Sequence, residues 1–211
     1  GYENEEGEFI STFDQMEVLA CHNGEKGYYK GNPARGDPVI KIRGRYRDFA
    51  HLETPIIGSL TEASRIATNV FRVMEAARGK DILFFPARFA HYKLQALHGY
   101  AYSLGVNAYN EDYGQNMTRY VSTDEQGVWW GGKGGGTISH SYIASFLGDT
   151  TEAMLQFSRL MPKDVNRIAL VDFDNDCVNT TLKVLKAMFD KYIELKESGN
   201  EEEAKKYKLF G

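Results

Sequence analysis

The chain has 211 residues, 42% of them hydrophobic and 13% aromatic, which is material for one large domain or two small ones with a true core. A formal net charge of −4 argues against a general nucleic-acid binder, and two cysteines, Cys21 and Cys177, are too few for a disulfide framework. No apolar run approaches the roughly 18 residues of a membrane span, no zinc-type spacing occurs, and the acidic first residues are unlike a signal peptide, so a reducing, cytoplasmic setting is expected.

Residues 9–57 read as β-rich. Met16 to Cys21 is a short apolar run, Asn23-Gly24 is a strong turn signal, and Pro33, Gly36, Asp37 and Pro38 form a second turn cluster. Val39-Ile40-Lys41-Ile42-Arg43 then has strand character, and Lys41 suits an exposed edge. His22 and His51 are isolated and specify no chemistry. Residues 59–78 give the clearest helix: Ser59 and Glu62 suggest a capping box, and Leu60, Ala63, Ala67, Val70, Phe71, Met74 and Ala77 follow the 3.6-residue period. Gly79-Lys80-Asp81 is expected to be a joint, dividing an N-terminal domain over 1–79 from a second domain over 80–211.

Beyond the joint the pattern becomes strand, loop, helix. Asp81-Ile82-Leu83-Phe84-Phe85 is a run suited to a strand buried on both faces, and a helix is predicted over 91–105, with a polar and aromatic loop over 106–119. His91 and His98 are read as structural. A strand end is expected at Tyr120 to Asp124, a helix over 150–161, a strong buried strand at Arg167-Ile168-Ala169-Leu170-Val171-Asp172, and a long helix over 178–196. Alternating strands and helices imply a parallel sheet with helices outside it.

The most informative stretch is Gly131-Gly132-Lys133-Gly134-Gly135-Gly136-Thr137-Ile138-Ser139-His140-Ser141, followed at once by an apolar segment with helical spacing. Glycines permit positive φ and close backbone approach, and a helix start directs free N–H groups outward. With Lys133, Thr137, Ser139, His140 and Ser141 added, the stretch is read as a phosphate-handling site. It is not a Walker loop, because no Gly-Lys-Ser/Thr falls at the required spacing. Active sites of parallel α/β folds gather at the C-terminal strand ends, which assigns Arg88, Asp124, the glycine run with His140, and the acidic stretch 172–176 to one rim. Arg88 suits bidentate contact with carboxylate or phosphate and would equally serve in a structural salt bridge. Asp172 and Asp174 suit sugar hydroxyls or a hydrated Mg²⁺; Asp172 would also serve as a helix N-cap, for which Asp176 is the better candidate.

Three blocks resemble the nicotinate phosphoribosyltransferase family: Phe84-Phe85-Pro86-Ala87-Arg88-Phe89; Val121-Ser122-Thr123-Asp124 through Gly136-Thr137-Ile138-Ser139-His140-Ser141; and Ala169-Leu170-Val171-Asp172-Phe173-Asp174-Asn175-Asp176. Thr54-Pro55-Ile56-Ile57-Gly58 is similar as well, and the likeness covers most of residues 35–190. The resemblance implies transfer of a phosphoribosyl group to nicotinate, giving nicotinate mononucleotide and pyrophosphate, coupled to ATP, in NAD biosynthesis. It implies an α/β fold in which a β-rich N-terminal α/β domain precedes an incomplete (β/α) barrel of the type II phosphoribosyltransferase kind. It implies that His140 is the residue phosphorylated by ATP, that Arg88 is the strand-end arginine, and that Asp172 is the acidic strand end near the ribose. Substrate contacts are then expected from Arg88, Lys133, Gly135, Gly136, Thr137, Ser139, Ser141, Asp174 and Asn175, with Mg²⁺ and ATP as cofactor and co-substrate.

Two departures stand out. Ser141-Tyr142 follows His140, where many family members carry an acidic residue and then an aromatic. The chain also lacks the family's later barrel strands and is expected to associate as a homodimer or with a second polypeptide that supplies them. Two other functions fit the residues: a different phosphate-binding barrel enzyme, such as a sugar-phosphate lyase or isomerase, and a non-catalytic remnant that binds nucleotide or assembles with a partner.

Overall fold

The computed structural model describes residues 1–29, 31–86 and 88–208. The chain forms two compact units, Gly1–Gly134 and Gly135–Gly211. The joint expected at residues 79–81 lies inside the first of them.

The first unit opens with small antiparallel pairs. Strands β1 (Tyr2–Glu3) and β2 (Phe9–Ile10) pair, as do β3 (Glu17–Ala20) and β4 (Ile40–Arg43), with Leu19 opposite Lys41 and Glu17 opposite Arg43. Across the last pair Arg43 Nη1 meets Glu17 Oε2 at 2.8 Å. Lys41 is exposed, as an edge residue should be. An open apolar cleft of about 390 Å³ runs between β4 and the following helix, lined by Ile40, Ile42, Phe49, Ile56 and Leu60 among others.

Helix α1 spans Glu53–Ala77 and begins six residues before the expected capping box. Ser59 is therefore an interior residue whose hydroxyl donates to Pro55 O at 2.8 Å, and Glu62 bonds across to His98 Nε2 at 2.7 Å. The helix ends with Arg78 in the left-handed region at φ 51, ahead of Gly79 at φ 83. Strand β5 (Leu83–Phe84) follows, then α2 (Gln95–Tyr113), then β6 (Tyr120–Val121), which pairs with β5 in parallel. Helix α2 starts later than the predicted 91–105 and consumes half of the predicted loop. Its buried residues point in every direction and include Gln95, His98, Gly99, Ser103 and Gly105, so no single apolar stripe marks its length.

Tyr102, fully buried, is the keystone of this unit: its hydroxyl donates to Ile82 O at 3.0 Å and accepts from Tyr120 N at 2.9 Å. One side chain thus serves both strands of the parallel pair, and its ring stacks on Phe84 at 4.7 Å. Val70, Met74, Val106, Tyr109 and Val121 complete the core. Two glycines set how closely α2 is approached: a Cβ on Gly105 would lie 2.6 Å from Ala67 O of α1, and one on Gly99 would lie 1.9 Å from Gln126 O.

The second unit is helical: α3 (His140–Ser145), α4 (Thr150–Leu160), α5 (Cys177–Glu197) and α6 (Glu201–Ala204). Ile138, Ile143, Ala153, Met154, Val184, Met188 and Tyr207 form its core. Asp149 caps α4 through Glu152 N at 2.9 Å. Asp176 caps α5, accepting from Asn179 Nδ2 at 2.7 Å and Asn179 N at 3.2 Å, and these bonds hold its carboxyl below the usual range.

The predicted buried strand over 167–172 is not a strand. Among the described residues its one backbone tie to another segment is Ile138 N to Ile168 O at 3.1 Å, too little to make a ladder. Arg167 instead wraps the end of α4, donating to Met161 O at 2.9 Å, Pro162 O at 2.6 Å and Ser158 O at 3.2 Å. Ala169 and Leu170 pack, partly buried, against the helical core. The elements are helices with two-stranded sheets, and of the parallel sheet expected from the alternating pattern the described residues show the β5–β6 pair. Among the described residues no helix is long and apolar enough to cross a membrane.

Candidate functional site

The glycine run is divided between the units, Gly131 to Gly134 closing the first and Gly135 opening the second. Glycine there serves the approach of chain to chain more than free rotation. Of residues 131–136 only Gly131 has positive φ, at 79. A Cβ on Gly132 would sit 2.2 Å from the Trp130 ring, and one on Gly134 would sit 2.6 Å from the Thr123 backbone. Gly134 N donates to Asp124 Oδ1 at 2.8 Å, and Val121 bridges to Gly134, so the run is stitched to the end of β6. A Cβ on Gly135 would meet nothing within 4 Å. Lys133 is exposed on the first-unit part. Arg88, also in the first unit, sits in the turn after β5 with φ 74, a left-handed conformation uncommon for a side-chain-bearing residue.

In the second unit the expected residues come together. His140 is the first residue of α3, and its Nε2 lies 3.2 Å from Asp172 Oδ1. Ser139 is the N-cap, accepting from Tyr142 N at 3.2 Å while its Oγ lies 2.9 Å from Ser141 Oγ. Helix α3 has six residues, and Ser139 already takes one of its N–H groups, so the outward-facing donor array expected at a helix start is reduced. Thr137 spends its hydroxyl on Ile138 O at 2.8 Å. Asp172 and Asn175 bound a tight turn, with Asn175 N on Asp172 O at 3.2 Å and Asn175 at φ 56; Asp174 is exposed between them. Phe173 places its ring 6.3 Å from that of His140, a contact the sequence reading did not foresee.

Chemically this is an imidazole steered by a carboxylate. With Nε2–H given to Asp172, the neutral ring carries its lone pair on Nδ1, and Asp172 is placed to balance charge when the ring becomes cationic. Among the described residues no group of three or more His, Cys, Asp or Glu side chains is arranged to hold a metal. The two histidines set aside as structural are so engaged, His98 on Glu62 and His91 capping a short turn through Lys93 N at 3.2 Å. Asp124, which fastens the run to the end of β6, was marked in the sequence by its place on the expected rim, while Gln126 behind it carried no signal there.

No protein-family model matches the sequence, and no curated protein matches it. Among solved structures the chain is similar to the crystal structure of a nicotinate-nucleotide pyrophosphorylase from Pyrococcus furiosus, with 25% identity and a TM-score of 0.57 over 91% of this chain and 54% of that one. The chain thus spans about half the length of that structure.

Proposed function

We propose that the chain carries the phosphoribosyl-transfer chemistry of a nicotinate phosphoribosyltransferase, joining nicotinate to phosphoribosyl pyrophosphate to give nicotinate mononucleotide and pyrophosphate. The observation that carries this reading is the His140–Asp172 pair directly after the glycine run. It is supported by the structural neighbour, whose name, nicotinate-nucleotide pyrophosphorylase, joins a nicotinate nucleotide to pyrophosphorylase chemistry.

In this reading Arg88 and Lys133 take the pyrophosphate, since cations on the departing group lower the cost of breaking the ribose C1–oxygen bond. Gly135, Gly136 and Thr137 offer backbone contacts and Ser139 and Ser141 hydroxyl contacts to phosphate, and Asp174 and Asn175 suit sugar hydroxyls. ATP enters as co-substrate. Nδ1 of His140 attacks the γ-phosphorus, the nitrogen–phosphorus bond forms as the bond to ADP breaks, and Asp172 holds the proton on Nε2 of the cationic ring. No step is assigned to a protein-held Mg²⁺; Mg²⁺ arriving with the pyrophosphate would be part of the substrate. The test is pyrophosphate release from nicotinate and phosphoribosyl pyrophosphate, with and without ATP. No release under either condition would refute the reading.

A second reading has the chain work only in an assembly, as a homodimer or with a second polypeptide. It is favoured by Val178, Leu182, Leu185 and Phe189, an apolar row on α5 that is 46 to 70% exposed, and by the half-length match to the neighbour. Release that appears only on adding a polypeptide corresponding to the remainder of such an enzyme would support it.

A further inference from the structure

The loops that follow the parallel strands β5 and β6 are joined beneath the surface by a chain of amides. Gln126 is fully buried, and Gln95 and Ser122 are nearly so. Gln126 Oε1 accepts from Ser122 N at 3.0 Å and from Ser122 Oγ at 3.1 Å, while its Nε2 donates to Gln95 Oε1 at 2.7 Å. Gln95 Nε2 donates onward to Ala90 O at 3.4 Å. The two ends fix the polarity. Ser122 N is a donor and Ala90 O an acceptor, so neither amide can turn over without setting like groups face to face. A buried network of this kind is satisfied in one arrangement only, which makes it a specifying device.

Each end reaches a candidate site residue. Ala90 closes the turn that carries Arg88, with Phe89 N and Ala90 N both on Pro86 O, at 3.1 and 3.0 Å. Arg88 holds φ 74 there, a conformation that persists where the surroundings over-determine it. At the other end Ser122 leads into Asp124, which holds Gly134 N, and Trp130 Nε1 donates to Gln126 O at 2.8 Å. Gly99 lets α2 come against the Gln126 backbone, so the network is seated on the helix that bears Gln95.

We propose that Gln126, acting through Gln95, is a positioning residue that locks the Arg88 turn to the loop after β6, so that the two move as one body. The locking stands on geometry alone; that it shapes an anion site rests on the phosphoribosyl reading above.

Two variants separate the ends. In Gln126→Glu the side chain still accepts from Ser122, but once ionised it has no proton for Gln95; protonated, it donates again. Gln95→Met leaves Ser122 untouched and releases the Ala90 end. Both are read by amide hydrogen exchange, corrected for intrinsic rates. Exchange at Phe89 and Ala90 should quicken by about tenfold or more in Gln95→Met, and in Gln126→Glu at high pH, while Ser122 stays protected. Lowering the pH should restore protection in Gln126→Glu alone. Unchanged rates at Phe89 and Ala90 in Gln95→Met, or rates rising equally throughout the first unit, would overturn the proposal even if Gln126→Glu fails to fold. Pyrophosphate binding by calorimetry is the second readout, with affinity expected to fall severalfold in Gln95→Met. Wild-type protein that does not bind pyrophosphate would refute the anion reading, and the exchange data would still decide the locking.

Discussion

Replacing Asp172 by Asn tests the carboxylate–imidazole pair at its most sensitive step. The substitution keeps size and removes charge. His140 Nε2 and Asp172 Oδ1 are 3.2 Å apart, with side chains 37% and 54% exposed. For unit charges at that distance Coulomb's law gives about 1.3 kcal/mol in bulk water and about 5 kcal/mol at an effective dielectric near 20. Half exposure places the pair toward the watery limit, so about 1–2 kcal/mol is the working value, and each 1.4 kcal/mol is tenfold in rate. The gain arises only when the ring is cationic, as in the phosphorylated intermediate. Asp172→Asn should therefore lower ATP-stimulated pyrophosphate release by roughly 5- to 30-fold and leave ATP-independent release and the melting temperature nearly unchanged. His140→Ala is the control: it should abolish ATP stimulation and retain some ATP-independent transfer. The assay is pyrophosphate release with and without ATP, alongside mass measurement of phosphohistidine. Full ATP stimulation in both variants would remove the pair from the mechanism.

Arg88 is exposed, so Arg88→Ala should weaken pyrophosphate binding by about 1 kcal/mol, and Arg88→Lys should restore little, because a point charge lacks the planar fork; titration calorimetry with pyrophosphate decides, and full rescue by Lys would reduce Arg88 to general electrostatics. Gly99→Ala and Gly58→Ala should move stability in opposite directions. At Gly99 the new carbon meets a backbone carbonyl at 1.9 Å, which should cost about 2 kcal/mol or more despite the better helix propensity; at Gly58 nothing lies within 4 Å, so about 0.5–1 kcal/mol is gained, and denaturant melts of the two compare directly. Lys163 first, and then Lys205, hold the Glu202 carboxyl down to about 2 from its ordinary 4.5. A depressed carboxyl contributes stability above its unfolded value and loses it as the pH falls, so the second unit should weaken between about pH 4.5 and pH 2, and Glu202→Gln should flatten that limb of the acid-unfolding curve.

What the sequence settled by itself was whatever depends on near neighbours. The 3.6-residue stripe of α1 stands out because that helix has one wet face, and Asp176 is recognisable as a cap because capping reaches three residues along the chain. On α5 the apolar row Val178, Leu182, Leu185 and Phe189 is exposed, and Thr180, Val184 and Met188 are the buried residues instead. The glycine run with His140 is likewise a local signal. Tertiary structure alone decided the rest. Helix α2 is surrounded and so lacks a stripe, which hid both its length and the small residues that let α1 and Gln126 approach it. An apolar run such as 167–172 becomes a strand only where a partner supplies backbone bonds, and here Arg167 turned to the carbonyls of α4 while the run packed on helices instead. The strand-end rule had assigned His140 and Asp172 to one rim, but that the two side chains meet at 3.2 Å depends on how the chain returns across more than one helix, which spacing in the sequence does not fix.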